Sequence, residues 1–542
     1  IAGISMVATT FDDDTPLWVT EKIAQHGISG NWLWWNMLIG GMLTTFFFAR
    51  LWRRAEIVTE LEFIELRYSG KAAAFLRGFK SIYMGIFLNV IIIGWVNTAL
   101  ATIFIAFFDI PQSHVIYYIA AAMTIVVLYS SLSGLMGVVI TDFVQFFIAM
   151  IGCIVLAVVV LNTEKVGGIS GLKEQLPAWR FDFFPKIGSG TVMEQVGTYS
   201  VTIGAFLTFS LVQWWASWYP GAEPGGGGYI AQRMMSAKDE KNAVLASLFF
   251  QIAHYCLRPW PWIIVGLCAL VLYPDLSVED SAQGFVLAMK DHLPSGLKGL
   301  LLVAFLSAYM STISTQLNWG ASYLTNDLYK RFIRKKKKGE TEAEEQKDYV
   351  QKARIFTFLI VVLALFATTQ MSSIDSAATF LIECGAGLGL VLILRWYWWR
   401  INAWSEITAS IAPFIAYTLA NYVFDMTYPN NFLFTVLFST VSWLLLTFLT
   451  KPTEKETLEH FYRKVRPEGW WKPFQKEKKS GKQMRGLFIC WLSSIVMVYA
   501  CLFLIGDLIF ANYQKAFVEI IIALISYLIL RFQMKKTRIF DI

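Results

Sequence analysis

Apolar runs of roughly twenty residues, each closed by a short polar or basic segment, recur along the whole chain. A helix that crosses hydrocarbon needs ~20 mostly apolar residues. The runs predict fourteen such helices, at 1–22, 31–52, 79–108, 114–132, 136–161, 195–219, 243–272, 297–325, 354–370, 375–398, 403–423, 430–449, 487–510 and 514–531. Two runs are interrupted. Asp12-Asp13-Asp14-Thr15-Pro16 cuts the first, and Pro220-Gly221-Ala222-Glu223-Pro224-Gly225-Gly226-Gly227-Gly228 cuts the sixth. Backbone amides and carbonyls in hydrocarbon all need partners, so a broken helix survives only where protein encloses it or where it lines a cavity. Breaks at matching places in two halves of a membrane protein point to a transport site. A five-plus-five repeat makes the first and sixth helices equivalent. The expected organisation is therefore a first repeat over 1–161, a second over 195–398, and accessory helices over 399–542 with a cytoplasmic loop at 450–486.

Composition agrees with this reading. Of 542 residues, 56% are hydrophobic and 16% are charged, against about 25% charged in soluble proteins. The net charge of +7 could suggest nucleic acid, but the basic residues cluster in loops between apolar runs. Loops 50–80, 229–242, 326–354 and 450–486 are rich in Lys and Arg, whereas 23–30, 162–194 and 273–296 are sparser. Basic loops face the cytoplasm, which also places the C-terminus there. The charged stretches 330–352 and 450–486 read as solvated linkers. All six cysteines lie in apolar segments without metal-binding spacing, so no disulfide framework is expected. Residue 1 is Ile in an apolar stretch, so further chain is expected upstream.

Tyr129-Ser130-Ser131-Leu132-Ser133-Gly134-Leu135, followed by Thr141-Asp142-Phe143-Val144-Gln145, resembles the sodium/solute symporter family, which includes sodium–glucose and sodium–proline symporters. Further matches follow in order. They are Thr59 to Tyr68, Tyr229-Ile230-Ala231-Gln232-Arg233, Ser311-Thr312 with Leu324 to Lys330, and Trp398-Trp399-Arg400. The resemblance implies an all-α, polytopic, leucine-transporter-type core of five-plus-five inverted repeats with extra C-terminal helices. It also implies one helix before residue 1.

Sodium is a hard cation that seeks several oxygens, as calcium and magnesium do. The resemblance implies a sodium site made from the main-chain carbonyls of Ala8 and Phe11, the carbonyl of Ala308, and the hydroxyls of Ser311 and Thr312. Ala308 and Ser311/Thr312 share a helix face. Ordinary back-bonding to the preceding turn is the structural alternative for the two hydroxyls. Asp142 falls where the family places an acidic residue on the inward ion path. A structural hydrogen bond in the short turn before it is its alternative.

The substrate side departs from the relatives. Three consecutive carboxylates cannot all stay ionised and buried, because like charges oppose one another's ionisation. One of them must bind a cation, pair with a base or carry a proton. Pro16 lacks an amide hydrogen and helps to leave the nearby chain unwound. His254 and Arg258 stand four apart on the seventh helix, on one face. By resemblance His254 lies near a position where sugar symporters place a substrate ligand. A membrane Arg needs a partner; Asp12, Asp14 and Glu223 are the candidates. Asp14, Glu223, His254 and Arg258 are expected to form one polar network. Alternatively Arg258 snorkels to an interface and His254 is a hydrogen-bonded core residue. Thr10 and Trp218 complete the substrate-binding candidates, and Glu383 on the tenth helix has no assigned partner.

The function expected is sodium-coupled import of a small polar solute by alternating access, in the plasma or inner membrane, with Na+ as the coupling ion and no organic cofactor. A proton-coupled carrier titrating within Asp12–Asp14 is the nearest rival. A membrane-embedded hydrolase would need acidic residues facing each other from two helices, and a transporter-derived sensor would carry signalling domains; neither pattern is read here.

Overall fold

The structure is a computed structural model. It describes the backbone of all residues except 1, 58, 133–134, 186–201, 220, 336–338, 372, 476–481 and 538–542, and the side chains of all but these and 2, 8, 9 and 129–143. Regular structure among the described residues is helical, apart from one isolated bridge between Trp398 and Trp470.

Helices fall at all fourteen predicted positions, residues 195–201 of the sixth lying outside the described residues; eight of them, or nine counting the bent tenth, are long and apolar enough to cross a membrane among the described residues. The first is two half-helices, Ala2–Thr9 and Asp14–His26, separated by an unwound Thr10–Asp13. The second covers 32–55. The third, fourth and fifth are Gly70–Phe108, Val115–Leu132 and Leu135–Leu161. The sixth is Ile203–Ala216 and Gly228–Met235, with unwound chain between them. The seventh, eighth and ninth are Glu240–Leu272, Ser295–Ile333 and Glu342–Thr368. The tenth is Ile374–Cys384 and Leu388–Tyr397, bent by 47°. The eleventh covers 403–423, and Asn430–Leu449, Lys482–Ile509 and Tyr513–Lys536 complete the set.

Burial sorts these spans. The seventh buries 83% of its most apolar stretch and the third 67%, whereas the ninth and fourteenth bury only 11% each. The former are the interior. The latter turn apolar faces outward, as lipid-facing helices do.

Four features differ from the sequence expectation. Pro16 does not sit in the unwound stretch; it occupies the first turn of the Asp14–His26 helix, where a missing amide hydrogen costs nothing. The tenth helix, expected to be continuous, is broken at 385–387. This break docks on the sixth: the Gly387 amide donates to Ala216 O at 2.9 Å, and the Trp218 amide to Gly385 O at 3.2 Å. Gly387 has φ +100°, and a Cβ there would meet the Ser439 side chain at 2.3 Å.

The two charged linkers are also more ordered than expected. The eighth span runs on to Ile333, and Arg334 then pairs with Glu340, Glu345 and Asp348. A capping box at Thr341 and Glu344 starts the ninth span. In the other linker, Lys455–Val465 is a helix whose Leu458, Phe461 and Val465 are buried. Their three- and four-residue spacing makes one apolar stripe, hidden in the sequence by the charges around it. Trp471 is also fully buried, and Trp470 extends main-chain hydrogen bonds to Tyr397 and Trp399.

A candidate ion and solute site between the first, seventh and eighth helices

The first half-helix ends at Thr9 with carbonyls that no longer have intrahelical donors. Its C-terminal end carries partial negative charge. Arg258 meets that end. One guanidinium nitrogen donates to Thr10 O at 2.6 Å, and another to Thr10 Oγ1 at 2.9 Å and to His254 Nδ1 at 2.7 Å. The Phe11 and Trp262 rings each lie 5.2 Å from the guanidinium carbon. Arg258 is fully buried, so it does not snorkel. Of the expected carboxylates Asp12, Asp14 and Glu223, the first two lie near enough for their charge to act on Arg258, whereas Glu223 does not. The broken helix end adds direct hydrogen bonds to that negative potential.

This contact also fixes His254. A guanidinium only donates, so Nδ1 accepts and the ring hydrogen sits on Nε2. The imidazole is neutral in this arrangement. A π-helical turn over Ala253–Leu257 positions both residues, and such turns recur at functional sites.

The break also meets the eighth helix. The Thr312 hydroxyl donates to Asp12, and Thr312 and Ala308 are both buried, one turn apart. Phe11 packs its ring edge-on against Phe146 and tilted against Trp262. Its side chain is therefore committed, leaving its main-chain carbonyl as the group available to an ion. Asp13 is fully buried, and neither carboxylate oxygen has a hydrogen-bond partner among the described residues. The side chains of Ala8 and Asp142 lie outside the described residues.

A cavity of about 80 Å3 opens beside this contact. Seven aromatic residues line it: Trp18, Trp34, Trp95, Tyr219, Tyr229, Phe250 and Tyr255. Its polar lining is Thr10, Asp12, Asp14, Thr15, His254, Thr312, Thr315 and Gln316. Small-ligand sites are built in this way, mostly apolar with a few convergent polar groups. Trp18, Trp95 and Tyr219 form one wall, with ring centres 6.3 and 5.9 Å apart. Trp34 stacks on Tyr255 at 5.6 Å to form another.

Thr10, Asp12, Asp14, His254 and Thr312 of the expected set thus line one cavity. Trp218 and Glu223 do not. Trp218 turns away toward Leu381, Leu388 and Trp443, and its neighbour Tyr219 faces the cavity instead. In extended chain successive side chains point to opposite sides, and Ser217 is extended here, so of the aromatic residues before the break Tyr219 and not Trp218 lines the cavity. Glu223 is buried near Gly227 and Gly228, away from the cavity. The Gly228 amide at the restart of the helix instead donates to Glu60 Oε2 at 2.7 Å. Gly221, Gly225, Gly226 and Gly228 all have positive φ between 50° and 79°, which explains the glycine run. Only Gly221 of these borders the cavity. Glu383 has a partner after all, accepting from Asn431 at 3.0 Å. Thr315 and Gln316 were missed, although each continues the Ser311/Thr312 face one turn later.

Two groups of ion pairs join helices around the site. On one side Lys22 pairs with Asp375 at 2.7 Å, and Trp18 donates to the same carboxylate oxygen at 3.0 Å. On the other side Glu60 lies 3.6 Å from Arg395, which holds Glu406 at 3.0 Å, and Arg77 bridges Glu65 and Asp327.

Known proteins share this construction. The osmoregulated proline transporter OpuE of Bacillus subtilis is 27% identical over 291 residues, 53% of this chain and 53% of its own, so the match spans about half of that relative. The sodium/glucose cotransporter of Vibrio parahaemolyticus is 23% identical over 467 residues, 81% of this chain and 80% of its own. Among solved structures, a substrate-bound, outward-open Na+-coupled sialic acid symporter superposes with a TM-score of 0.61 at 17% identity, covering 84% of this chain and 90% of that one. That likeness gives the fold. Residues 2–412 match the family described as sodium:solute symporters, and the chain belongs to that family.

Proposed function

We propose that the protein is a sodium-coupled symporter that carries a small solute through the cavity between the first and eighth helices. The observation that carries this reading is the meeting of the first-helix break with Thr312, through Asp12. It puts freed main-chain carbonyls, a carboxylate and a buried hydroxyl at one place, the hard-oxygen environment that sodium seeks. The ligands in this reading are the carbonyls of Ala8, Phe11 and Ala308 and the hydroxyls of Ser311 and Thr312. The solute touches Thr10, Asp14 and His254.

Sodium drawn to this point ties the eighth helix to the first and steadies the cavity wall. The repeats 1–161 and 195–398 then rock against each other, opening the Lys22–Asp375 side or the Glu60–Arg395 side in turn. Asp142 serves the inward ion path. The basic loops put the Glu60–Arg395 side and the C-terminus in the cytoplasm. One charge crossing 100 mV contributes ~2.3 kcal/mol, and a tenfold sodium gradient about 1.4 kcal/mol. One sodium ion could thus sustain roughly a 500-fold gradient of neutral solute.

The test is thermal unfolding of the purified protein in NaCl against KCl. Sodium should stabilise the wild type, and the double variant Ser311→Ala/Thr312→Ala should lose that response. Equal stability in both salts, or an unchanged response in the variant, rejects the site.

A further inference from the structure

We propose that the transported solute is a small organic cation, an ammonium compound with a hydrogen-bond donor, held by Asp14 and the aromatic walls. The proposal rests on the cavity described above being the transport site. It adds the charge of the cargo.

The charge inventory of the cavity leads there. Asp12 and Asp14 line it, and no Lys or Arg does. The one basic side chain in the lining is His254, whose Nδ1 receives the Arg258 guanidinium at 2.7 Å. Protonating that nitrogen would set two cations in contact, so His254 brings no positive charge. Arg258 itself is fully buried behind Thr10 and does not line the cavity. Two of its nitrogens are engaged by the helix end and His254, and its charge reaches Asp12 and Asp14 from behind the lining. Sodium at Thr312 and Asp12 offsets one carboxylate. Asp14 is the lining carboxylate not held by Thr312, and its side chain accepts a long 3.4 Å hydrogen bond from the Thr15 hydroxyl.

A second observation concerns Gln316. It lines the cavity, is 5% exposed, and its Oε1 has no hydrogen-bond partner. An acceptor without a partner among the described residues, in a cavity also lined by carboxylates, asks for a ligand that donates. The walls ask for the same charge. Trp18, Trp95, Tyr219, Trp34 and Tyr255 all line the cavity with their rings. Ring faces attract ammonium groups, and aromatic enclosures of this kind bind quaternary and methylated amines. A carboxylate, acceptors and ring faces together repel an anion and give a neutral sugar no charge to match.

The experiment is thermal unfolding of the full chain in NaCl with choline, ethanolamine, glucose, proline or N-acetylneuraminate at millimolar concentration, followed by uptake of the responding probe into proteoliposomes. Choline or ethanolamine should stabilise the protein. Asp14→Asn should weaken that response by about ten- to a hundredfold, the worth of one charged hydrogen bond. If glucose, proline or N-acetylneuraminate stabilises the protein instead, the cation proposal falls and sodium coupling stands. If sodium responds and none of the ammonium probes does, the proposal also falls. If choline binds through Asp14 while sodium has no effect, the cation assignment holds and sodium coupling is the reading that fails. Where Asp14→Asn does not fold, the order of the probes on the wild type decides alone.

Discussion

Arg258 donates to the main-chain carbonyl of Thr10 at 2.6 Å, closing the end of the first half-helix with a charge from the seventh. The planar guanidinium reaches the carbonyl, the hydroxyl and His254 at once, which a lysine ammonium on a shorter stem cannot copy. Arg258→Lys is expected to cost about 1.5–3 kcal/mol, the worth of a charged hydrogen bond. It should also raise the sodium concentration needed for half-maximal stabilisation, because the freed carbonyls lose their anchor. A sodium titration followed by thermal unfolding checks both effects. Unaltered stability and sodium response would show the contact to be incidental.

On the proposed cytoplasmic side, Glu60 ties the restart of the sixth helix to the tenth through Gly228 and Arg395. Glu60→Gln keeps the shape and removes the charge. Arg395 keeps Glu406, so the fold should hold. The latch should loosen, and a cavity cysteine at Ala222→Cys should label faster with a thiol reagent added from the cytoplasmic face. Equal labelling with and without Glu60→Gln would deny the latch.

The opposite latch gives the mirror experiment. Lys22 is nearly buried against Asp375, so the pair lies between an exposed one, worth under ~1 kcal/mol, and a buried one, whose loss costs ~3–5 kcal/mol. Asp375→Asn is expected to shift the open-to-closed balance about tenfold or more. Labelling of Thr15→Cys by an impermeant reagent from outside should rise accordingly. A fall would reverse the orientation assigned to the two sides.

Gly387 tests the break that the sequence analysis did not anticipate. Its φ of +100° and the 2.3 Å approach of Ser439 leave no room for a methyl group. Gly387→Ala should destabilise the protein by at least ~1–3 kcal/mol, the cost of a strained backbone residue, read as a lowered unfolding temperature. Wild-type stability would mean that the tenth helix can straighten.

The spans were legible because hydrocarbon imposes a single rule, about twenty apolar residues per crossing. The first break was legible because three aspartates cannot pass as lipid-facing residues. The tenth break was hidden, since Gly385-Ala386-Gly387 is as apolar as a helix that packs closely. Partners were harder to read than positions. Arg258 was taken to need negative charge, and Asp12 and Asp14 lie near enough to give it, but its direct hydrogen bond goes to a main-chain carbonyl, which side-chain letters do not show. Trp218 and Tyr219 show the same limit: in unwound chain one residue of register decides which ring meets the cavity. The aromatic walls come from spans far apart in sequence, such as Trp18, Trp95 and Tyr255, and only folding brings them together.

The buried stripe of the Lys455–Val465 helix bears on how the chain can be divided. Phe461 and Trp471 lie over the guanidinium of Arg67, which donates to the carbonyls of Arg395, Trp398 and Trp399. Cutting the chain after residue 450 would uncover that cation and the foot of the tenth helix together. The last hundred residues are thus mortised into the moving parts, and a shortened version should be judged as a different machine.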